Sequence, residues 1–119
     1  MIFKDGKNKY FGGVIMNWHT IRERKLIRKY GGKPLVKYGY DGVISGRPVE
    51  VRDARKDNRY RIQKNVHENL VKNNGSYIFA NRGKSVKISA KKVSKIMGNG
   101  KWFKDRKYPH KFVRRGDVF

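Results

Sequence analysis

Residues 41–52 read DGVISGRPVEVR. Two short apolar stretches, one ending at Ile44 and one holding Val49 and Val51, flank the turn residues Ser45, Gly46, Arg47 and Pro48, which is the pattern of a β-hairpin. Strand side chains alternate between the two faces of a sheet, so Glu50 and Arg52 share one side while Val49 and Val51 take the other. The valines are expected to face a core and the charged pair to face outward. A hairpin closed at SGRP also folds Asp41, at the start of the first strand, back toward Glu50. Two carboxylates converging on a strand pair make a hard-oxygen site suited to Mg²⁺ or Mn²⁺. The plain alternative is a turn Asp-Gly followed by an exposed ion pair.

Upstream, Val14, Ile15 and Met16 suggest a short strand, preceded by a basic arm or short hairpin over residues 1–12. HTIRERKLIRKYGG (19–32) reads as a helix with Thr20 as N-cap, Glu23 three residues on, and Gly31-Gly32 as the stop. Glu23 has Leu26, Ile27 and Tyr30 as its helical neighbours, whereas Arg22, Arg24, Lys25, Arg28 and Lys29 fill the remaining faces. A carboxylate on the side that should be buried is costly unless a metal ion or an arginine meets it. A capping box with Thr20 explains the same residue without chemistry.

A strand is expected at Leu35–Tyr38, then the hairpin strands Tyr40–Ile44 and Val49–Asp53. After ARKDN, the spacing of Ile62, Val66 and Leu70 predicts a helix over 59–73, ended by NNG. SYIFAN (76–81) and SVKIS (85–89) read as strands paired across RGK, followed by a helix over 89–97. The resulting order, α-β-β-β-α-β-β-α, describes an α/β protein with a mixed β-sheet flanked by helices. One domain spans 1–119, and its basic aromatic segment 98–119 is expected to order only on binding.

The 119 residues hold 31 Lys and Arg against 9 Asp and Glu, a net charge of +22 spread over both halves. Such an excess is costly in self-repulsion and points to a polyanionic partner, nucleic acid above all. Neither a clean amphipathic helix nor a long apolar run argues for a membrane, so a cytoplasmic protein is expected. The absence of cysteine rules out disulfides, thiolate zinc sites and thiol nucleophiles. His19, His67 and His110 are too scattered for a zinc or HNH arrangement. Candidate nucleic-acid contacts are Arg22, Arg55, Lys56, Lys64, Lys101, Trp102, Lys104, Arg106 and Lys107. Around them, KKVSKIMGNGKWFKDRKYPHKFVRR interleaves cations with Trp102, Phe103, Tyr108 and Phe112, a mix suited to phosphate contacts and to stacking on unpaired bases. The same aromatics would equally serve to pack this segment onto the domain.

The text RERKLIRKYGG…YGYDGVISGRPVEVRDARKDNRYRIQKNVHENLVKNNGSYIFA, over residues 20–81, resembles the PD-(D/E)XK nuclease superfamily, and within it the archaeal-type Holliday junction resolvases most closely. The resemblance implies a restriction-endonuclease-like core, α-β-β-β-α-β, with Glu23, Asp41 and Glu50 as metal ligands for Mg²⁺ or Mn²⁺. It implies a homodimer cutting branched or structured DNA, and it places Gln63 one turn into the following helix, facing the site. Arg52 stands where the family carries its catalytic lysine. Arginine stays protonated, so it can orient phosphate and neutralise charge but cannot act as a base; Lys64 or Lys56 reaching in would restore an amine. Two other readings share these residues: a non-catalytic nucleic-acid-binding protein of RNA-binding or ribosomal type, and a sequence-specific restriction-like or homing-like nuclease.

Overall fold

Alternating burial fixes the strands, and left-handed turns set their pairing. The computed structural model describes residues 8–11, 14–35, 40–53, 58–105 and 108–119. Strands β1 (Asn8–Phe11) and β2 (Val14–Asn17) form an antiparallel pair ahead of helix α1 (Trp18–Lys29). Then come β3 (Lys33–Pro34), β4 (Gly42–Ile44), β5 (Arg47–Asp53), β6 (Arg59–Gln63), helix α2 (Lys64–Lys72), β7 (Ser76–Asn81) and β8 (Lys84–Ser89). Helix α3 (Ala90–Met97), β9 (Phe103–Asp105), β10 (Tyr108–Arg114) and the short α4 (Arg115–Val118) complete the order.

The central sheet has the order β3-β4-β5-β7-β8, with β5 and β7 parallel and the other neighbours antiparallel. It is therefore a mixed sheet, and the chain is an α/β protein as its sequence implies. A second, antiparallel sheet runs β6-β10-β9. Helix α1 covers one face of the central sheet, where Ile27 packs with Val49, Val51 and Ile78. On the other face Tyr77, Phe79 and Ile88 meet Tyr60, Ile62 and Val113 of the second sheet, along with Leu70 of α2 and Val93 of α3. Both faces of β5 are thus covered, which is why this central strand is apolar or buried through most of its length. Among the described residues no helix is long and apolar enough to cross a membrane.

Several expectations change. Residues 59–63 are a strand and not the first turn of a helix, because Tyr60 and Ile62 are buried while Arg59 and Arg61 are exposed, a period of two that the Ile62-Val66-Leu70 spacing conceals. The helix begins only at Lys64. The C-terminal segment is part of the fold: β10 is the middle strand of the second sheet, with Val113 buried opposite Tyr60. Thr20 lies inside the first turn of α1, which starts at Trp18, so it is not the N-cap. Lys33–Pro34 pair with β4 and Leu35 lies outside that strand; the rest of the strand expected at Leu35–Tyr38 lies outside the described residues. The hairpin turn is shorter than SGRP. Ser45 and Gly46 alone form it, with φ of 51° and 76°, and Arg47 already pairs with Ile44; two left-handed residues match the twist of the strands they join. Of the expected N-terminal arm, Asn8–Phe11 form a hairpin strand, and residues 1–7 and 12 lie outside the described residues.

Gly42, next to Asp41, has a packing role. A Cβ there would lie 2.8 Å from the Lys33 carbonyl oxygen and 2.9 Å from Ile27 Cδ1, so glycine lets α1 close onto the sheet. Gly42→Ala is expected to lose about 1–3 kcal/mol in urea unfolding through this overlap. Gly46→Asn, in open space and at a left-handed angle asparagine tolerates, is expected to lose under about 1 kcal/mol. Equal losses at the two positions would refute the close-approach explanation.

Candidate functional site

Strand β4 starts at Gly42, while its neighbour β5 continues to Asp53. Asp41 therefore stands just past the end of β4, level with the exposed length of β5. Its Oδ2 accepts a hydrogen bond from the Val51 backbone N–H at 2.8 Å, so the side chain takes over where the strand stops. Glu50 and Arg52 flank Val51 on the other row of β5. Arg52 Nη1 lies 2.9 Å from the Val51 carbonyl oxygen, 3.1 Å from Glu50 Oε2 and 4.0 Å from Asp41 Oδ2. Glu23 arrives from α1, one helical turn before Ile27, whose packing against Val49 and Val51 holds the helix in place. Both Glu23 and Glu50 share side-chain hydrogen bonds with Asp41. Helix and hairpin thus bring together Glu23, Asp41, Glu50 and Arg52, as the sequence led us to expect.

Glu50 departs from expectation in one respect: it does not face outward but is 6 % exposed, because β5 is covered on both sides. Its neighbour in register is Tyr77, itself fully buried. Burial, and then the Asp41 carboxylate alongside, push Glu50 up to about 8, against the opposing pull of Arg52. The same two causes push Glu23 up to about 7, with the charge of Asp53 adding to them. Asp53 is held by an ion pair with Arg22, in the N-terminal half of α1. Among the described residues, the Arg52 guanidinium sits among the carboxyl groups of Glu23, Asp41 and Glu50. As they stand, no three His, Cys, Asp or Glu side chains among the described residues are disposed to hold a metal ion; Asp41 is instead engaged by its two acid neighbours and the Val51 amide.

The remaining candidates fall elsewhere. Gln63 ends β6 opposite His110, on the row of Arg59 and Arg61 and not on the core row of Tyr60 and Ile62. It thus precedes α2 and lies outside the helix in which it was expected. Lys64 forms an i,i+4 pair with Glu68 at 3.8 Å on the exposed side of α2, so it supplies no amine to the carboxylates. Arg22 is engaged by Asp53. Lys101 and Lys104 are exposed. Trp102 is packed inward, tilted against His67 and beneath the buried Lys111 ammonium at 4.8 Å, and so is not a free stacking surface. Arg55, Lys56, Arg106 and Lys107 lie outside the described residues. His67 is a structural histidine: its Nδ1 is 3.0 Å from the Tyr77 hydroxyl and its Nε2 is 2.6 Å from Ser94 Oγ. Burial, and then Lys111, lower its pKa and keep it neutral.

Sequence reasoning missed Asp53 and Tyr77 as neighbours of the cluster. Asp53 was readable as the next residue beyond the E-x-R row; Tyr77 depends on the parallel register between β5 and β7, which no local pattern encodes. No family model, curated protein or solved structure matches the chain.

The raised acids have a consequence for stability. Each binds its proton more tightly in the folded chain than at the ordinary carboxylate value of 4.5. Their contribution is fully present below that value and is lost as pH rises through about 7 and 8. In chelator, the melting temperature is expected to fall between about pH 5 and about pH 9, and Glu50→Gln, which mimics the protonated acid, is expected to flatten that fall. A flat profile for the parent chain, or an unchanged slope in the variant, would count against the shifts.

Proposed function

We propose that the chain is a metal-dependent endonuclease acting on branched or structured DNA, with a restriction-endonuclease-like core. The observation that carries this reading is the convergence of Glu23, Asp41 and Glu50 on Arg52, with two of the acids raised to about 7 and 8, in a chain of net charge +22. The order α1-β3-β4-β5-α2-β7, with β6 inserted before α2, supports the same core.

The residues fit a hard divalent cation by chemistry. Three carboxyl groups offer oxygen donors, and in Glu23 and Glu50 burial and then the neighbouring Asp41 carboxylate raise the proton affinity, a repulsion that a divalent cation would relieve. Lewis acidity toward a phosphodiester and toward water would come from a Mg²⁺ or Mn²⁺ ion held by Asp41, Glu50 and Glu23. Asp41 is pre-oriented by the Val51 amide, so its carboxylate does not have to be ordered on binding. Arg52 binds a phosphate oxygen and stabilises the charge that builds up there. With Lys64 paired to Glu68 and Lys56 outside the described residues, Arg52 is the cation that would serve as electrostatic stabiliser. A homodimer would place two such sites for paired cuts across a junction.

A non-catalytic nucleic-acid-binding protein is the second reading, favoured by Arg52 itself and by the way its guanidinium already satisfies Glu50. Cleavage of a synthetic four-way junction, a flap and a linear duplex in Mg²⁺ or Mn²⁺ separates the two. Junction cleavage is expected, with Glu50→Ala lowering the rate by at least about 10²-fold while binding in chelator persists. No cleavage by the parent chain, or full activity of Glu50→Ala, would sink the nuclease reading in favour of the binding protein. Independently of activity, Mn²⁺ is expected to raise the melting temperature of the parent chain and not that of Asp41→Asn/Glu50→Gln.

A further inference from the structure

The outer face of the second sheet takes no part in the carboxylate cluster. Register sets its composition. Arg114 lies opposite Arg59, Phe112 opposite Arg61, and His110 between Gln63 and Phe103. Alternation puts the intervening Tyr60, Ile62, Lys111 and Val113 on the core face; on the opposite face Arg59, Arg61, Phe112 and Arg114 are exposed, while His110 is buried among its neighbours at 6 %. Phe103 is 65 % exposed, Tyr108 44 % and Phe112 38 %.

These rings are neighbours. Phe103 and His110 have centroids 6.3 Å apart, and His110 meets Phe112 edge-on at 5.0 Å. The Arg59 guanidinium lies 4.1 Å over the Phe112 ring, extending the aromatic surface with a flat cation. Arg61 reaches His110 Nδ1 at 3.4 Å. Where β9 begins, a cleft of about 420 Å³ opens beside β10, lined by Arg59, Lys101, Phe103, Phe112 and Arg114 among others.

An exposed run of large rings on a sheet is costly unless it is used. A second copy of the chain is a poor occupant. Two-fold pairing of this face would set Arg59, Arg61 and Arg114 against their own copies. Duplex DNA fits poorly as well, since its bases are already stacked and offer no ring faces laterally. What matches rings separated by guanidinium groups is a strand with unstacked bases and a phosphate for each.

We propose that this face is a stacking platform for unpaired nucleotides of a DNA strand. Phe103 and the Phe112–Arg59 stack take base faces, while Arg61, Arg114 and Lys101 meet the phosphates. The choice of DNA rests on the function proposed above; the platform itself does not require cleavage.

The test is fluorescence anisotropy in chelator, with an unstructured single-stranded DNA oligomer, an abasic strand of the same length, the blunt duplex and the corresponding RNA. Phe103→Ala/Phe112→Ala is expected to weaken single-strand binding by roughly 5- to 150-fold. Binding of the abasic strand and the duplex, held by phosphate contacts, is expected to change by less than about twofold. Phe112→Tyr, which keeps a ring, is expected to retain affinity and guards against a folding defect in the alanine variant. Equal loss on the abasic strand, no loss on the base-bearing strand, or a change in oligomeric state by sedimentation would overturn the platform. Tighter binding of RNA than of DNA would overturn the choice of strand. Because no divalent ion is present, failure here leaves junction cleavage untouched, and failure of cleavage leaves this result standing.

Discussion

One hydrogen bond, from the Val51 amide to Asp41 Oδ2, holds the candidate site together. Strand β4 has ended at that level, and a side-chain oxygen meets a donor of its neighbour. The bond fixes one carboxylate between two residues of the opposite row, Glu50 and Arg52, and within reach of Glu23. It depends in turn on Gly42, whose missing Cβ lets Ile27 and the rest of α1 approach. Glu23 would stand farther off if that helix were lifted. A short turn, a bare glycine and an early strand end are therefore one device, and what they produce is crowding of like charge.

Such crowding is costly in a folded chain and adds nothing to its packing. The apolar contacts of Val49 and Val51 would hold β5 equally well with neutral residues on its other row. An isolated Glu50–Arg52 pair would be a plausible structural ion pair; a third carboxylate, Asp41, held against both Glu50 and Glu23 adds repulsion that such a pair does not need. Strain of this electrostatic kind collects where a charged ligand is to be bound, since the ligand removes it.

The positions of Glu23, Asp41, Glu50 and Arg52 were legible because each lies beside a strong local signal: a glycine-terminated helix, a D-G step, and valines alternating with charges. The burial of Glu50 was not, because it depends on the second sheet, which forms only when residues 108–114 return to pair with 59–63. That pairing was hidden twice. The segment RYRIQ runs straight into a helix whose apolar spacing extends back to Ile62, and the alternation of KFVR was masked by the density of basic residues around it. Long-range pairing overrode both local readings. Gln63 was misplaced for the same reason, since the strand and not the helix sets its direction.

The two surfaces are linked through charge. A net +22 ought to draw protons off every acid, yet Glu23 and Glu50 are raised. Burial and contact with Asp41 prevail because they act over a few ångströms, whereas exposed charges separated by more than about 8 Å are largely screened by salt. Arg52 opposes the shift at contact range. A DNA strand laid along the protein would neutralise those distant cations and bring phosphates toward the carboxyl groups, leaving the cluster still shorter of positive charge. Proton uptake or capture of a cation would then have to accompany binding. A catalytic site gains from the second course, because a cation recruited together with the phosphate is in place only when there is a bond to cut.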